Sequence, residues 1–255
     1  MNANLKQALT DYLVAMADDE LILGHRNSEW CGHAPILEED IAFANIALDE
    51  IGHAIVWYEL AADLSGEDRD TYANRVVYFR DAPDYRNTQM VELPKGDWAF
   101  TMLRQYLFDQ FEMVRLEKLT QSSYASLAEA AAKIRTEEIY HLRHTRAWVR
   151  RLGLGTDESH RRMQAALNDL WPYALALFEA STRETLLIQA SYIPDISILK
   201  TAWQVQVTTY LQEAALTMPT NSSHAIPPRT HHTEHLGGLL SDLQQVARLD
   251  PMAKW

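Results

Sequence analysis

Residues 127–152 read LAEAAAKIRTEEIYHLRHTRAWVRRL, and this stretch decides the fold. Its apolar positions recur every three or four residues, which is the period of an α-helix with one buried face. The same stripe contains an acid and a histidine, Glu138 and His141, three positions apart. Side chains with that spacing lie on one face of a helix. The stretch therefore predicts a long helix that turns a Glu-x-x-His pair toward the protein interior.

The pair occurs a second time upstream, as Glu50-Ile51-Gly52-His53. It lies within an apolar helical pattern that runs from 37 to about 64. Each of these two helices is preceded by another long periodic helix, at about 5–24 and at 97–120. Each preceding helix carries one acid in its apolar stripe, Glu20 in the first and Asp109 in the second. The sequence thus predicts two long helix pairs, each with three polar side chains facing inward.

Two long helix pairs joined by a crossover are typical of a four-helix bundle. The crossover is expected at 65–96, which has no sustained hydrophobic period. Beyond Gly153 and Gly155 the patterns predict further helices, which begin at 157, 196 and 236, and a proline-rich linker at 219–230. The expected fold is all-α, with one domain over 1–255. Its core bundle would cover about 5–152, and additional helices and a C-terminal tail would cover 153–255.

Composition and charge exclude several classes of function. The 255 residues carry 23 basic and 35 acidic side chains, a formal net charge of −12 that disfavours binding to nucleic acid and to anionic membranes. No apolar run reaches the roughly 18 residues that a membrane-spanning helix needs. The amino terminus lacks a signal-sequence pattern, so we expect a cytoplasmic protein. The lone cysteine, Cys31, is expected to be a small buried side chain, and the His231–His235 strip a surface or interface element.

The inward-facing acids and histidines are the residue types of a di-iron or di-manganese carboxylate site. Four carboxylates buried together would repel one another and lose hydration, and two divalent cations would cancel their charge. Oxygen and imidazole ligands also suit iron that binds dioxygen. The candidate ligands are Glu20, Glu50 and His53 on one ion and Asp109, Glu138 and His141 on the other, with Glu50 and Glu138 bridging. The alternative is that these side chains are hydrogen-bonded in a bundle without metal.

Five short motifs follow one another along most of the chain. They are residues 29–35 (EWCGHAP), 104–106 (RQY) with Asp109, 141–143 (HLR), 170–171 (LW) with Phe178, and 232–237 (HTEHLG). Together they resemble the C-type subunit of the ring-epoxidising phenylacetyl-CoA oxygenases. The resemblance extends from the first helix almost to Trp255.

The resemblance implies a ferritin-like subunit in a bacterial cytoplasmic complex of phenylacetate degradation. Such a complex converts phenylacetyl-CoA to its ring 1,2-epoxide with dioxygen and reducing equivalents from a separate reductase. It implies that a catalytic A-type subunit holds the di-iron centre and the CoA ester. The C-type subunit pairs with this catalytic partner, while a small B-type subunit joins the A–C pairs. The isolated chain is also expected to form a homodimer.

The resemblance further implies that the C-type subunit usually has a degraded metal site, whereas the six candidate ligands here follow the pattern of the catalytic subunit. Two functions are therefore open. The chain is either a non-catalytic structural and assembly subunit, with no catalytic or cofactor-binding residues of its own, or a di-iron oxygenase subunit in its own right. A third function, metal storage or peroxide scavenging, is disfavoured by the long region after 153.

Overall fold

The computed structural model describes residues 1–179, 183–220, 226–251 and 253. Within these residues the chain forms ten α-helices and one 3₁₀ turn and has no β-strand. The all-α prediction is thus confirmed. The elements are α1 Ala3–Ser28, α2 Leu37–Ser65, α3 Arg69–Tyr78, the 3₁₀ turn Ala82–Asp84, α4 Gln89–Glu92, α5 Trp98–Leu119, α6 Ala125–Gly153, α7 Asp157–Ala176, α8 Glu184–Gln189, α9 Ile196–Glu213 and α10 Glu234–Leu249.

The four long helices α1, α2, α5 and α6 form the bundle that the sequence predicts. α1 packs along α2, α5 packs along α6, and α2 contacts α6 across the bundle. α1 continues to Ser28, four residues beyond its predicted end at Gly24. The crossover from α2 to α5 is the long connection typical of ferritin-like folds.

Gly24 sets the distance between α1 and α2 beside the candidate site. A Cβ atom at this position would lie 2.9 Å from the carbonyl oxygen of Ala47 and 3.0 Å from the Cβ atom of Glu50. Only glycine therefore allows the two helices to approach this closely. The close approach brings the acid of α1 and the Glu-x-x-His pair of α2 into one layer.

The crossover contains regular structure that the hydrophobic pattern does not predict. Residues 65–96 include α3, the 3₁₀ turn and α4. These helices are short, and a one-turn or three-turn helix leaves too few apolar positions to establish a period. α3 is capped locally, since the Asp68 carboxylate accepts a hydrogen bond from the Thr71 backbone N–H at 3.0 Å.

Two of the C-terminal helices, α7 and α9, extend the bundle on its α5 side, whereas α8 packs against α1 and α10 against the crossover. α7 packs against α5 and α6, and α9 packs against α5. The predicted cap at Thr156 is confirmed, because its hydroxyl accepts the Ser159 backbone N–H at 3.2 Å. α8 was not predicted. The central residues of the predicted linker, 221–225, lie outside the described residues, and the residues beside them, 219–220 and 226–230, are not helical.

Two smaller predictions have different outcomes. Cys31 is exposed, so its prediction as a buried side chain is wrong. It lies in the turn directly after α1, where its backbone N–H donates to the carbonyl of Ser28 at 3.0 Å. In the histidine strip, His232 Nδ1 lies 2.6 Å from a carboxylate oxygen of buried Glu92, which fastens the start of α10 to α4.

Within the described part of the chain, no helix is both long and apolar enough to span a membrane.

Candidate metal centre

The six predicted ligands lie together in the interior of the bundle. One comes from α1, two from α2, one from α5 and two from α6. None is more than 2% exposed; they are Glu20, Glu50, His53, Asp109, Glu138 and His141. The structure therefore places all six predicted ligands in the interior of the bundle.

Four of these side chains form a compact group. Glu20, Glu50, His53 and Glu138 each offer one ligand atom, and these atoms lie within 4.8 Å of one another. His53 directs Nδ1 toward the group, 3.5 Å from Glu138 Oε1. Several of the buried atoms receive no hydrogen bond from an amide, hydroxyl or cationic group, namely both oxygens of Glu20, one oxygen each of Glu50 and Glu138, and His53 Nδ1. The Glu20 and Glu50 carboxyls lie close enough to share a proton. Unpartnered buried acceptors are costly, and a cation bound by one atom of each of these four residues would offset that cost.

Asp109 and His141 lie on the other side of this group and have partners. One Asp109 oxygen accepts a hydrogen bond from Gln105 Nε2 at 2.7 Å, and the other accepts one from the Thr145 hydroxyl at 2.6 Å. His141 Nδ1 lies 3.1 Å from Glu138 Oε1. Asp109 thus differs from Glu20, because both of its oxygens accept hydrogen bonds from neighbouring side chains.

Gln105 is a member of the site that sequence reasoning missed as a functional residue, although it belongs to the 104–106 motif. Its amide nitrogen donates to Glu50 Oε1 at 2.6 Å as well as to Asp109. Its amide oxygen accepts from Asn27 Nδ2 at 2.7 Å. Asn27 therefore fixes the amide so that its N–H groups face the acids. Hydrogen-bond donors to carboxylates favour the ionised form, the form that binds metal.

Burial and mutual repulsion dominate the electrostatics of the cluster. Burial raises the pKa of Glu20 well above its usual range, and the charge of Glu50 adds to the rise. Burial likewise raises the pKa of Asp109, with the charge of Glu138 adding to it. Burial lowers the pKa of His141, but the neighbouring carboxylates, with Glu138 foremost, raise it more, to about 12. All three shifts favour bound positive charge at this point of the bundle, whether as protons or as metal ions.

Two further acids contact the outer ring nitrogens of the two histidines. Each Glu-x-x-His pair is directly preceded by another acid, Asp49 on α2 and Glu137 on α6. The acids pair across the bundle, since Glu137 lies 2.8 Å from His53 Nε2 and Asp49 lies 3.1 Å from His141 Nε2. A carboxylate on the outer ring nitrogen orients a histidine and makes it a better metal ligand. The sequence signal was present, as an acid before each pair, but the crossed pairing depends on the packing of α2 against α6.

Glu112 is a further buried acid beside the cluster. Burial raises its pKa to about 7, although the ion pair with Arg115 lowers it. Arg115 in turn lines a cavity of about 750 Å³ between α1 and α5. The ion pair of Glu112 and Arg115 therefore lies between this cavity and the interior of the bundle.

The cavity is of a size that holds a small organic molecule. Its inner wall includes Tyr12, Met16 and Phe111. Among the described residues that line it, four arginines face five acids; they are Arg86, Arg115, Arg183 and Arg229, and Asp11, Asp19, Asp84, Glu179 and Glu184. The acids outnumber the arginines by one, so the described lining is not a cationic site of the kind that binds several phosphates.

The sequence and the fold both have relatives among known proteins. The family model described as "Phenylacetic acid catabolic protein" matches residues 1–255. The C-type subunit of the 1,2-phenylacetyl-CoA epoxidase of Escherichia coli (strain K12) is 39% identical over 249 residues, which cover 97% of this chain and 99% of that protein. The A-type subunit of the same enzyme is 26% identical over 166 residues, which cover 64% of this chain and 51% of that protein.

Among solved structures, "Protein 19 with aldehyde deformylating oxidase activity" from Synechococcus has the same fold. Its TM-score is 0.64 at 14% sequence identity, and the match covers 85% of this chain and 93% of the other. At this level of identity the likeness confirms the ferritin-like fold and carries no information on activity. The predicted resemblance to the C-type subunit is confirmed by the sequence relatives.

Proposed function

Since this chain belongs to the phenylacetic acid catabolic protein family, we propose that it is the structural and assembly subunit of a phenylacetyl-CoA epoxidase complex, paired with the di-iron catalytic A-type subunit. The identity of 39% to the C-type subunit of such an epoxidase, over nearly the whole of both chains, supports this role. In the complete complex, a small B-type subunit would bridge A–C pairs in the bacterial cytoplasm. The chain would act by holding the catalytic subunit in place.

The observation that carries the proposal is an apolar outer surface on two bundle helices, which we name the α2–α6 face. Ile41, Leu48 and Ile55 project from α2 into solvent at steps of seven residues, with Leu48 66% exposed. Ile139 and Tyr140 project from α6, and Tyr140 is 69% exposed. Several large apolar side chains exposed on two neighbouring helices are typical of a surface that is covered in an assembly.

A related chain is the occupant that fits this face best. The A-type subunit is 26% identical to this chain over 166 residues, so the two share ancestry and a bundle core. Related folds can pair through equivalent surfaces about an approximate two-fold axis, as identical chains do in symmetric dimers. The same argument allows the isolated chain to form a homodimer through the α2–α6 face.

The proposal is tested by measuring the affinity for the catalytic A-type subunit encoded in the same genome. We expect a stable complex of the purified chains in size-exclusion chromatography and isothermal titration calorimetry. Replacing both Leu48 and Ile55 with arginine should weaken binding by about 30-fold or more, as expected for central interface residues. The matched control replaces Ile198 and Val205 on α9, which are also exposed, with arginine.

The control should bind like the wild type. If the unchanged chain does not bind the catalytic subunit, the proposed pairing is wrong. If both double variants bind equally well, the pairing uses another surface. Self-association that disappears in the Leu48 and Ile55 variant, together with retained binding of the catalytic subunit, would assign the α2–α6 face to a homodimer.

The second candidate function is that the chain itself carries a working metal site. It is favoured by the unpartnered ligand atoms of Glu20, Glu50, His53 and Glu138 within a complete set of six candidate ligands. Glu20, Glu50 and His53 would hold one ion, and Asp109, Glu138 and His141 would complete a second position. Iron bound there would supply dioxygen binding and electrons. The protein's own residues would orient the ligands through Asp49 and Glu137 and exclude water by burial.

Metal content per chain tests this candidate. The chain is expressed alone, loaded anaerobically with iron and analysed for metal beside a Glu50→Ala, Glu138→Ala variant. Iron in the wild type and none in the variant would support a metal-bearing subunit, and oxygen consumption dependent on a reductant would then mark it as catalytic. Equal and negligible metal in both proteins would leave the structural role alone.

A further inference from the structure

The cavity between α1 and α5 combines an apolar wall with a few hydrogen-bond donors. Its volume of about 750 Å³ is typical of a pocket that binds a small molecule. The apolar part of the wall comes from three helices, with Met16 on α1, Phe111 on α5 and Ile196 at the start of α9. Glu184 of α8 and residues 228–230 lie on the wall as well. The cavity therefore has room for one small molecule with a hydrophobic body.

Two guanidinium groups on the wall keep donor atoms for a ligand. Arg115 is almost completely buried and directs Nε and Nη2 to Glu112, which leaves Nη1. Arg229 makes its contacts through Nη1 alone, with both oxygens of Asp19 at 2.8 Å and with the Arg86 carbonyl at 3.1 Å. Within the part of the chain that the structure describes, the remaining nitrogens of the two groups have no hydrogen-bond partner. They are therefore open to an acceptor in the cavity.

The Tyr12 hydroxyl is a third donor on the same wall. Tyr12 lines the cavity, and among the described residues its hydroxyl has no hydrogen-bond partner. Burial raises the pKa of this hydroxyl, while the charges of Arg115 and Arg229 oppose the rise, so both guanidinium groups lie near it. The hydroxyl is protonated at neutral pH and can donate a hydrogen bond. Three donors therefore lie close together beside the apolar wall.

Several carboxylates of the lining are engaged or screened. Asp19 accepts hydrogen bonds from Arg229 and from the Thr88 backbone N–H, at 2.8 and 2.6 Å. Asp84 and Glu179 are exposed, so solvent and salt screen their charge. A ligand that meets the three donors must offer an acceptor group. A carboxylate is the acceptor that forms the strongest hydrogen bonds with such donors.

We propose that this cavity binds a small carboxylic acid with an aromatic body. Tyr12, Arg115 and Arg229 would hold its carboxylate. Its ring would pack against Met16 and Phe111, since aromatic rings pack favourably with sulfur and with other rings. The site is separate from the candidate metal centre, because the buried ion pair of Arg115 lies between the two. The proposal depends neither on metal binding nor on the pairing with the catalytic subunit.

The test uses phenylacetate as the probe, because it carries one ring and one carboxylate on a short linker. Isothermal titration calorimetry measures its binding to the full chain. Nuclear magnetic resonance of the chain, isotopically labelled in the methionine methyl groups, locates the site. We expect one phenylacetate per chain and a shift of the Met16 methyl resonance, which Met16→Leu assigns. The Met102 methyl, which packs in another cluster with Trp30, should not shift.

Two variants test the two parts of the site. Tyr12→Phe keeps the ring and removes one donor, so it should weaken phenylacetate binding about tenfold, the effect expected of one hydrogen bond to a charged group. Ala15→Phe fills the cavity without replacing a charged side chain and should abolish binding. The matched control is Tyr140→Phe on the α2–α6 face, which should bind phenylacetate as the wild type does. Circular dichroism checks that each variant is folded.

Chemically matched probes test the choice of a carboxylate. Phenethyl alcohol and phenethylamine keep the ring and lack the carboxylate, so each should bind at least about tenfold more weakly than phenylacetate. Phenylacetyl-CoA also lacks a free carboxylate, and its phosphates do not suit a lining in which acids outnumber arginines. It should leave the Met16 methyl resonance in place.

Four results would overturn the proposal. Phenylacetate could fail to bind at millimolar concentration, or bind without shifting the Met16 methyl resonance. Phenethyl alcohol could bind as tightly as phenylacetate, with Tyr12→Phe unchanged in affinity, which would mark the cavity as merely apolar. Phenylacetyl-CoA alone could shift the Met16 resonance, which would assign the cavity to the acyl group of the thioester.

Discussion

Three consecutive acids in the middle of α1 have the same burial and different surroundings. Asp18, Asp19 and Glu20 are all fully buried. Because successive residues of a helix point about 100° apart, the three carboxylates face three different parts of the protein. Two of them face the crossover and the C-terminal segment, and the third faces the interior of the bundle.

Asp18 is fully satisfied. Its oxygens accept hydrogen bonds from the Tyr58 hydroxyl at 2.5 Å, from the Arg80 guanidinium at 2.5 and 3.0 Å and from the Arg86 backbone N–H at 2.7 Å. The contacts join α1 to α2 and to the end of α3. This carboxylate is a structural connection between the bundle and the crossover.

Asp19 resembles Asp18, and Glu20 does not. Asp19 accepts the Thr88 backbone N–H at 2.6 Å and the Arg229 guanidinium at 2.8 Å. No amide, hydroxyl or cationic group donates a hydrogen bond to Glu20, whose carboxyl lies against the carboxyl of Glu50. The comparison teaches that burial alone does not mark a functional acid. A cation and backbone donors offset part of the cost of burying Asp18 and Asp19, although burial still raises the pKa of Asp19. A buried acid without them costs stability until it binds a proton or a metal ion.

Among these acids, we expect substitution of Asp18 to change the free energy of unfolding most. Asp18→Asn removes the charge that pairs with Arg80 and leaves that guanidinium largely buried without a counter-ion. Breaking a buried ion pair in this way should lower the free energy of unfolding by about 3 kcal/mol or more. Urea denaturation monitored by circular dichroism measures the change. A loss below about 1 kcal/mol would mean that Asp18 is not a structural acid.

Glu112 is an intermediate case, because it is buried and paired with Arg115 yet its pKa is raised from 4.5 to about 7. A carboxyl with a raised folded pKa binds a proton more strongly in the folded state. Its contribution to stability is therefore fully present below about pH 4.5 and is lost as the pH rises to about 7. The loss should be about 3 kcal/mol, at 1.4 kcal/mol for each pKa unit.

This loss is measured as the difference between the wild type and Glu112→Gln in urea denaturation at pH 5, 6, 7 and 8, with a chelator present to keep both proteins free of metal. The charge of Glu112 also raises the pKa of Glu20, so the substitution reduces the pH dependence that Glu20 contributes as well. The variant should therefore have the flatter pH profile. Parallel profiles would show that Glu112 remains ionised throughout this range.

The sequence predicted those parts of the molecule that depend on local periodicity. The stripes of α1, α2, α5 and α6 are long, so the register that turns Glu20, Glu50 and Glu138 inward could be found without a structure. The partners of Asp18 and Asp19 could not be found in this way. Arg80 and Arg229 lie 62 and 210 residues away along the chain from the acids they contact. No local pattern encodes such a pairing.

The same limit explains why the hydrogen-bond partners of Asp109 were not predicted. Helical register establishes that Asp109 faces inward, but not that Gln105 and Thr145 occupy both of its oxygens. Gln105 lies on the same helix four residues earlier, and its spacing gave a signal, since side chains at that separation meet. Thr145 lies on another helix, and its contact depends on how α5 packs against α6.

Substitution of Glu20 should change the free energy of unfolding less than substitution of Asp18, and it should raise this free energy rather than lower it. Glu20→Gln removes a carboxyl whose ionisation is disfavoured by burial, so the metal-free protein should gain about 1–3 kcal/mol at pH 8. The gain should shrink at pH 5, where the raised pKa of Glu20 leaves the wild-type carboxyl largely protonated. Thermal denaturation with and without Mn²⁺ checks both parts. Mn²⁺ should stabilise the wild type and have little effect on the variant; a variant destabilised to the extent of Asp18→Asn would remove the distinction between the two acids.

The smallest effect is expected at Asp11, which tests whether pairing or burial gives the acids of α1 their importance. Asp11 precedes Asp18 by two helical turns and also pairs with an arginine, Arg183, but both side chains are about half exposed. Solvent screens such a pair and competes for its hydrogen bonds, so Asp11→Asn should change the free energy of unfolding by less than about 0.5 kcal/mol. The measurement is the same urea denaturation as for Asp18→Asn, and both variants should retain the helical circular dichroism spectrum. If Asp11→Asn cost as much as Asp18→Asn, the ion pair would be important regardless of burial, and the unpartnered Glu20 would differ from its neighbours only by lacking an arginine.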